Sequence, residues 1–234
     1  MMTMRNRFLL PLTLMLLLLT TAPSLFAQST WDGGGDGTSW NDGNNWDTNI
    51  VPPLGNNVIF NTTVTVTNIP ASPYFVNNFT VNSGTVTLND NLDIRGNLSV
   101  ASGAGFVGAS GTTITFNGTG AQSIGGAGTT TFHNLVINNA GSSTTDGFGY
   151  TRTNPTNIQG SITVNNNMEI RRGVVAFCTA TGATFNHNIA GKLVLGSSTS
   201  EVTISPSSIV SNTEFVINHA TNSNVTLTVD GDFL

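Results

Sequence analysis

The sequence predicts an all-β protein, a parallel β-helix (β-solenoid) behind a cleaved signal peptide, with a β-sandwich as the alternative. Three observations carry this. Apolar and polar residues alternate with period two along most of the chain, Gly, Asn and Ser separate the alternating stretches, and short sequence elements recur.

The first element is the N-terminus. Arg5 and Arg7 precede an apolar stretch from Phe8 to Leu19, and Pro23 and the segment Ser24-Leu25-Phe26-Ala27 follow it. A basic start, a short apolar run and a small residue at the cut are the marks of an export signal. Residues 1–27 are therefore expected to be removed, with the mature chain starting at Gln28. The run is shorter than the ~20 residues a spanning helix needs, and the mature chain contains no second one. The sole cysteine, Cys178, excludes an internal disulfide and reads as a packed thiol in a strand.

Composition narrows the partners. Loss of Arg5 and Arg7 takes the formal charge from -5 to about -7, and the cations left are Arg95, Arg152, Arg171, Arg172 and Lys192. Nucleic acid requires clustered basic residues, so it is not an expected partner. Charged residues make up 8% of the chain, against roughly 25% in an average domain. The surface is thus one of hydroxyls and amides.

Residues 28–57 form a Trp/Gly/Asp-rich cap. Trp31, Trp40 and Trp46 are the only tryptophans, and they lie among Asp32, Asp36, Asp42, Asp47 and several glycines. An aromatic plug over the open first turn of a stack is the preferred reading of the three rings. The alternative is a platform for stacking sugar rings. The carboxylates of Asp32, Asp36 and Asp42 are hard oxygen donors of the kind calcium takes, but their spacing follows neither of the familiar calcium-loop patterns. Turn chemistry is the simpler expectation, and calcium is the one candidate cofactor.

Residues 58–234 carry the repeats. Thr63-Val64-Thr65-Val66-Thr67 opens the alternation, and comparable stretches run to Thr226-Leu227-Thr228-Val229. The element Asn78-Phe79-Thr80-Val81-Asn82 returns as Asn134-Leu135-Val136-Ile137-Asn138 and as Glu214-Phe215-Val216-Ile217-Asn218, each followed by a companion element. Such copies are expected to stack, and the segment from Ser142 to Asn157 reads as an inserted loop. The chain stops within a companion element at Leu234, which suggests that the repeats are incomplete.

The Trp31-Asp32-Gly33, Trp40 and Asn45-Trp46 opening, with its continuation through Val51-Pro52-Pro53-Leu54-Gly55-Asn56-Asn57-Val58-Ile59-Phe60, resembles the W-x-G, W, N-W start of bacterial β-helical surface proteins. These are autotransporter-like and adhesin-like proteins, including repeat-rich exported proteins of the Bacteroidetes. Phe132-His133-Asn134-Leu135-Val136-Ile137-Asn138-Asn139 is similar to their repeats. The resemblance implies export, an extracellular or cell-surface location, and a structural or adhesive role toward glycans or a surface matrix.

Catalytic constellations are sparse. Asp230 and Asp232 share a strand face at the extreme C-terminus, Glu169 and Arg171 read as a solvated ion pair, and His133, His187 and His219 lack an identifiable third metal ligand. A non-catalytic module is the expectation, with an extracellular carbohydrate-binding or polysaccharide-degrading β-helix protein as the rival. The Thr63/Thr65, Thr85/Thr87 and Thr113/Thr115 pairs raise the idea of an ice-binding face. That idea needs aligned copies on one face. Here the pairs read as scattered, and Thr is favoured on exposed strands in any case.

Overall fold

A computed structural model describes residues 27–140, 143–145, 151–153, 156–176, 188–189, 193–195, 202–205 and 227–229. Among them the chain is all-β, with one short 3-10 turn at Gly43–Asn45 as its only helical element. The leader expected over residues 1–27 lies outside the described residues except for Ala27. None of the helices among the described residues is long and apolar enough to cross a membrane.

The strands come in successive groups of three. After β1 (Gln28–Trp31), the first group is β2 (Asn57–Phe60), β3 (Val64–Val66) and β4 (Phe75–Val76). The second is β5 (Phe79–Val81), β6 (Thr85–Leu88) and β7 (Leu92–Ile94), and the third is β8 (Leu98–Val100), β9 (Gly105–Gly108) and β10 (Thr113–Phe116). The fourth is β11 (Gln122–Gly126), β12 (Thr129–Phe132) and β13 (Asn134–Asn138). The pair β14 (Ser143–Thr145) and β15 (Thr151–Thr153) intervenes before β16 (Thr156–Ile158), β17 (Ile162–Val164) and β18 (Met168–Ala176). Four short strands complete the described set: β19 (Asn188–Ile189), β20 (Leu193–Leu195), β21 (Val202–Ser205) and β22 (Leu227–Val229).

Each strand of a group pairs in parallel with the corresponding strand of the next group. Val58 faces Phe79 and Phe79 faces Leu98 in sheet A, Val64 faces Val86 in sheet B, and Leu92 faces Ile114 in sheet C. Sheet A thus begins β1-β2-β5-β8-β11-β16, sheet B runs β3-β6-β9-β12-β17-β19, and sheet C begins β4-β7-β10-β13. The long β18 pairs with β13 through Met168–Ile170 and with β16 through Val175–Ala176, so it belongs to both C and A. Among the described strands only β14 and β15 pair with one another antiparallel, inside the segment expected as an insertion. A β-sandwich is built from antiparallel sheets, so that alternative is set aside.

Alternation explains the core directly. In a strand, successive side chains point to opposite faces. The inward set Val58, Phe60, Val81, Val86, Leu88, Ile94, Leu98, Phe106, Ile114 and Ile124 is buried in one cluster fed by all three sheets. Aromatic rings run through it. Phe60 stacks on Phe79 at 5.1 Å, Phe79 meets Phe106 edge-on at 5.4 Å, and Phe106 lies 5.5 Å from Phe132.

At the corners, asparagine does more than tolerate turns. The Asn57 side-chain oxygen accepts from the backbone N–H and the side-chain amide of Asn78, at 3.1 and 3.0 Å. The Asn78 oxygen then accepts from Asn97 N–H at 2.8 Å, and the Asn97 oxygen from Ser123 N–H at 2.8 Å. This ladder satisfies corner N–H groups that a strand end leaves without a partner. At the corner into β6, Gly84 has φ +71°, and an added Cβ would run into the Thr62–Thr63 backbone of the preceding group.

Two expectations are corrected here. The similar elements around Phe79 and Leu135 do not stack on one another, because the first is β5 of sheet A and the second β13 of sheet C. All three sheets face one interior, so the shared pattern reports a common inward environment and not a common position. The Thr pairs, in turn, are not all scattered. Thr63/Thr65 and Thr85/Thr87 lie side by side on sheet B, with Thr65 in register with Thr87, while Thr113/Thr115 belong to sheet C.

Candidate functional site

The cap folds onto the first group of strands. β1 extends sheet A, Trp31 bridges antiparallel to Trp46, and Ser39 bridges parallel to Thr67 at the start of sheet B. All three indoles are buried, Trp40 and Trp46 with no exposure at all. Trp46 meets Trp31 and Trp40 edge-on at 5.0 and 4.8 Å, and Trp31 stacks on Phe60 at 5.5 Å, which joins the cap to the aromatic run of the core. The indole N–H groups of Trp46 and Trp40 donate to the Trp40 carbonyl and to the Tyr74 hydroxyl, both at 3.0 Å. Tyr74 donates in turn to the Pro52 carbonyl at 2.9 Å, and burial pushes its pKa up to about 12. A sugar platform needs an accessible ring face. These faces lie against protein, so the stacking role expected as an alternative for Trp31, Trp40 and Trp46 does not fit.

The carboxylates of the cap are turned toward backbone donors. Asp36 accepts from Ser39 N–H at 2.7 Å, from Thr38 N–H at 2.8 Å and from the Asn45 amide at 2.8 Å. The Ser39 and Thr38 bonds, followed by that of Asn45, hold its pKa below the usual value of 3.8. Asp42 accepts from Asp36 N–H at 2.9 Å and Asn44 N–H at 3.0 Å, and Asp32 accepts from Gly34 N–H at 3.0 Å. These are turn contacts. Among the described residues no group of three His, Cys, Asp or Glu side chains could hold a metal ion, so the calcium alternative for Asp32, Asp36 and Asp42 finds no assembled site. The residue that organises the loop is the asparagine of the N-W motif, which the sequence did not mark as a site residue. Buried Asn45 accepts from Gly35 and Gly37 N–H at 3.0 and 2.9 Å and donates to the Ser39 carbonyl at 2.9 Å.

A groove of about 630 Å³ lies elsewhere, along the corner between sheets C and A, lined among others by Phe75, Asn77, Arg95, Asn97, Asn117 and Thr119. The Arg95 guanidinium sits 3.5 Å above the Phe75 ring, a cation–π contact that fixes both. Behind this pair is Asp93, in cross-strand register with Phe75 on one side and Thr115 on the other. Burial raises the Asp93 pKa above 3.8, against hydrogen bonds from Asn117 and Thr115 and the charge of Arg95, which all favour the carboxylate. The groove therefore presents one cation, several amides and an aromatic ring, a set suited to hydrogen-bonding a polar ligand. Sequence reasoning noted Arg95 only as one of few cations, because nothing in the linear order shows that Phe75, Arg95 and Asn117 converge.

Glu169 and Arg171 form the expected ion pair, at 2.6 Å along one strand. His133 is half-buried just before β13. Cys178, His187, Lys192, His219, Asp230 and Asp232 lie outside the described residues. The chain matches no family model, no curated protein and no solved structure.

Proposed function

We propose that this chain is a parallel β-helix exported to the cell surface, where it serves as a non-catalytic structural or adhesive module. The observation that carries the reading is the parallel pairing of each strand with the corresponding strand of the next group, over one hydrophobic core. A stack of this kind grows by adding groups and offers long sheet faces and corner loops to a partner. The opening Trp motif, the basic and apolar leader and the hydroxyl-rich composition support export and surface exposure. Expression of the full chain in a bacterial host, with N-terminal sequencing of the mature product and protease shaving of intact cells, tests it. A product that begins at Gln28 and is removed by external protease is expected. Retention of the leader with protection from protease would refute it.

A second reading, extracellular carbohydrate binding, is favoured by the groove over Phe75 and Arg95 and not by the tryptophans. A glycan array probed with the mature protein and with Arg95→Ala distinguishes the two. Binding to a defined glycan that the substitution removes would make the groove a carbohydrate site.

A further inference from the structure

The outer surface of sheet B carries a two-column array that neither other sheet has. Thr65, Thr87, Val107, Thr131, Thr163 and Asn188 form one column, each in parallel register with the next. Two residues back along each strand lies the second column. Thr85, Gly105 and Thr129 are in register, Thr63 is tied to Thr85 by a 3.1 Å bond from Thr85 N–H to its hydroxyl, and Ser161 precedes Ile162, the partner of Thr130. Threonine fills seven of these eleven described positions, valine keeps threonine's shape in an eighth, and none of them is charged or aromatic.

The geometry repeats in two directions. Positions two apart on a strand are separated by ~6.6 Å and neighbouring strands by ~4.8 Å. Each Thr carries a hydroxyl and a methyl on a side chain whose freedom β-branching restricts. Generic strand propensity does not account for the array. At the corresponding outward sites sheet A carries Thr30, Ile59, Thr80, Ser99 and Gly125, and sheet C carries Phe75, Asp93, Thr115, Val136 and Glu169.

We infer that the sheet B face binds the surface of crystalline water, holding an ice-like water layer on its threonine rows. A neutral, regular grid of hydroxyls and methyls is complementary to an uncharged lattice of oxygen atoms with comparable repeats. Charged groups would bind water in other geometries, and the described residues of this face include none. A crystalline polysaccharide is the less favoured occupant, since flat sugar faces are recognised by exposed aromatic rings and the described residues of the face include none. The array loses its side chain at Gly105, where a depression of about 310 Å³ opens between Thr85 and Thr129. Contact is thus expected on both flanks of that depression.

The inference does not depend on the proposed surface role and is tested on the mature chain by partitioning into a slowly growing ice hemisphere beside a co-dissolved control protein. Enrichment in ice is expected for the wild type and for Ser99→Lys on sheet A. Thr87→Lys and the more exposed Thr65→Lys are expected to fall to the level of the control protein, with unchanged far-UV circular dichroism and melting temperature showing that they fold. Exclusion of the wild type from ice would overturn the inference. So would enrichment that survives both substitutions, or retention on crystalline cellulose without enrichment in ice.

Discussion

Sheets B and C line one interior with the same alternation, yet their outer faces share almost nothing. Outward from sheet B stand Thr65, Thr87, Val107, Thr131, Thr163 and Asn188. Outward from sheet C stand Phe75, Asp93 with its raised pKa, Thr115, Val136 and the Glu169–Arg171 ion pair. The inward residues are interchangeable in kind because each meets the same apolar core, and this makes the fold robust. The outward residues meet only water and partners, so they are free to differ and the difference carries the chemistry.

The comparison can be broken from beneath, where the two faces depend on the same rings. Phe106 of sheet B contacts Phe79 and Phe132, and the Phe132 ring meets Phe116 of sheet C. Phe106→Ala is expected to cost about 3–5 kcal/mol and to weaken both faces together, read as a lowered urea midpoint with earlier hydrogen exchange in both sheets. Exchange changes confined to sheet B would show that the core is not shared.

The corner into sheet B comes next in size. Gly84→Ala places a Cβ at φ +71° against the Thr62–Thr63 backbone. A loss of more than about 1 kcal/mol is expected, measurable by thermal or urea unfolding. Little or no loss would mean that the β5–β6 corner relaxes freely.

The faces are also expected to differ in their response to pH. Because the folded pKa of Asp93 lies above 3.8, the stability tied to its protonated form is present below 3.8 and is lost as pH rises through the folded value. Asp93→Asn is therefore expected to gain stability relative to wild type across that window and to hold the gain at neutral pH. Asp36 in the cap has the opposite sign. Its lowered pKa gives stability that is present above 3.8 and is lost as pH falls through the folded value, so Asp36→Asn is expected to lose stability at neutral pH and converge with wild type in acid. Urea midpoints measured from pH 2 to 7 test both. The smallest effect belongs to Glu169→Gln, which removes an exposed ion pair of sheet C and is expected to cost about 0–1 kcal/mol. That loss should fade in high salt.

The inward pattern made the fold legible at particular residues. Val64 and Val66, Val86 and Leu88, and Ile114 and Phe116 were readable as strand pairs facing a core, because burial selects apolar residues at every second position. The packing of three indoles together was readable from the clustering of Trp31, Trp40 and Trp46. The repeats misled as to register, since Phe79 and Leu135 look alike while belonging to different sheets. The groove was not legible, because Phe75, Arg95 and Asn117 converge only across three successive strands of sheet C and the corners beside them.

The sequence by itself determined that this chain is all-β, which residues face inward and that its surface is poor in charge. Those properties follow from period-two alternation and composition, which act locally along the strand. The tertiary structure decided which strands are neighbours, and so placed Thr65 beside Thr87 and Arg95 over Phe75. Strand register is set by corner lengths and by the asparagine ladder, through contacts between residues about 20 positions apart, and no local pattern in the chain encodes them.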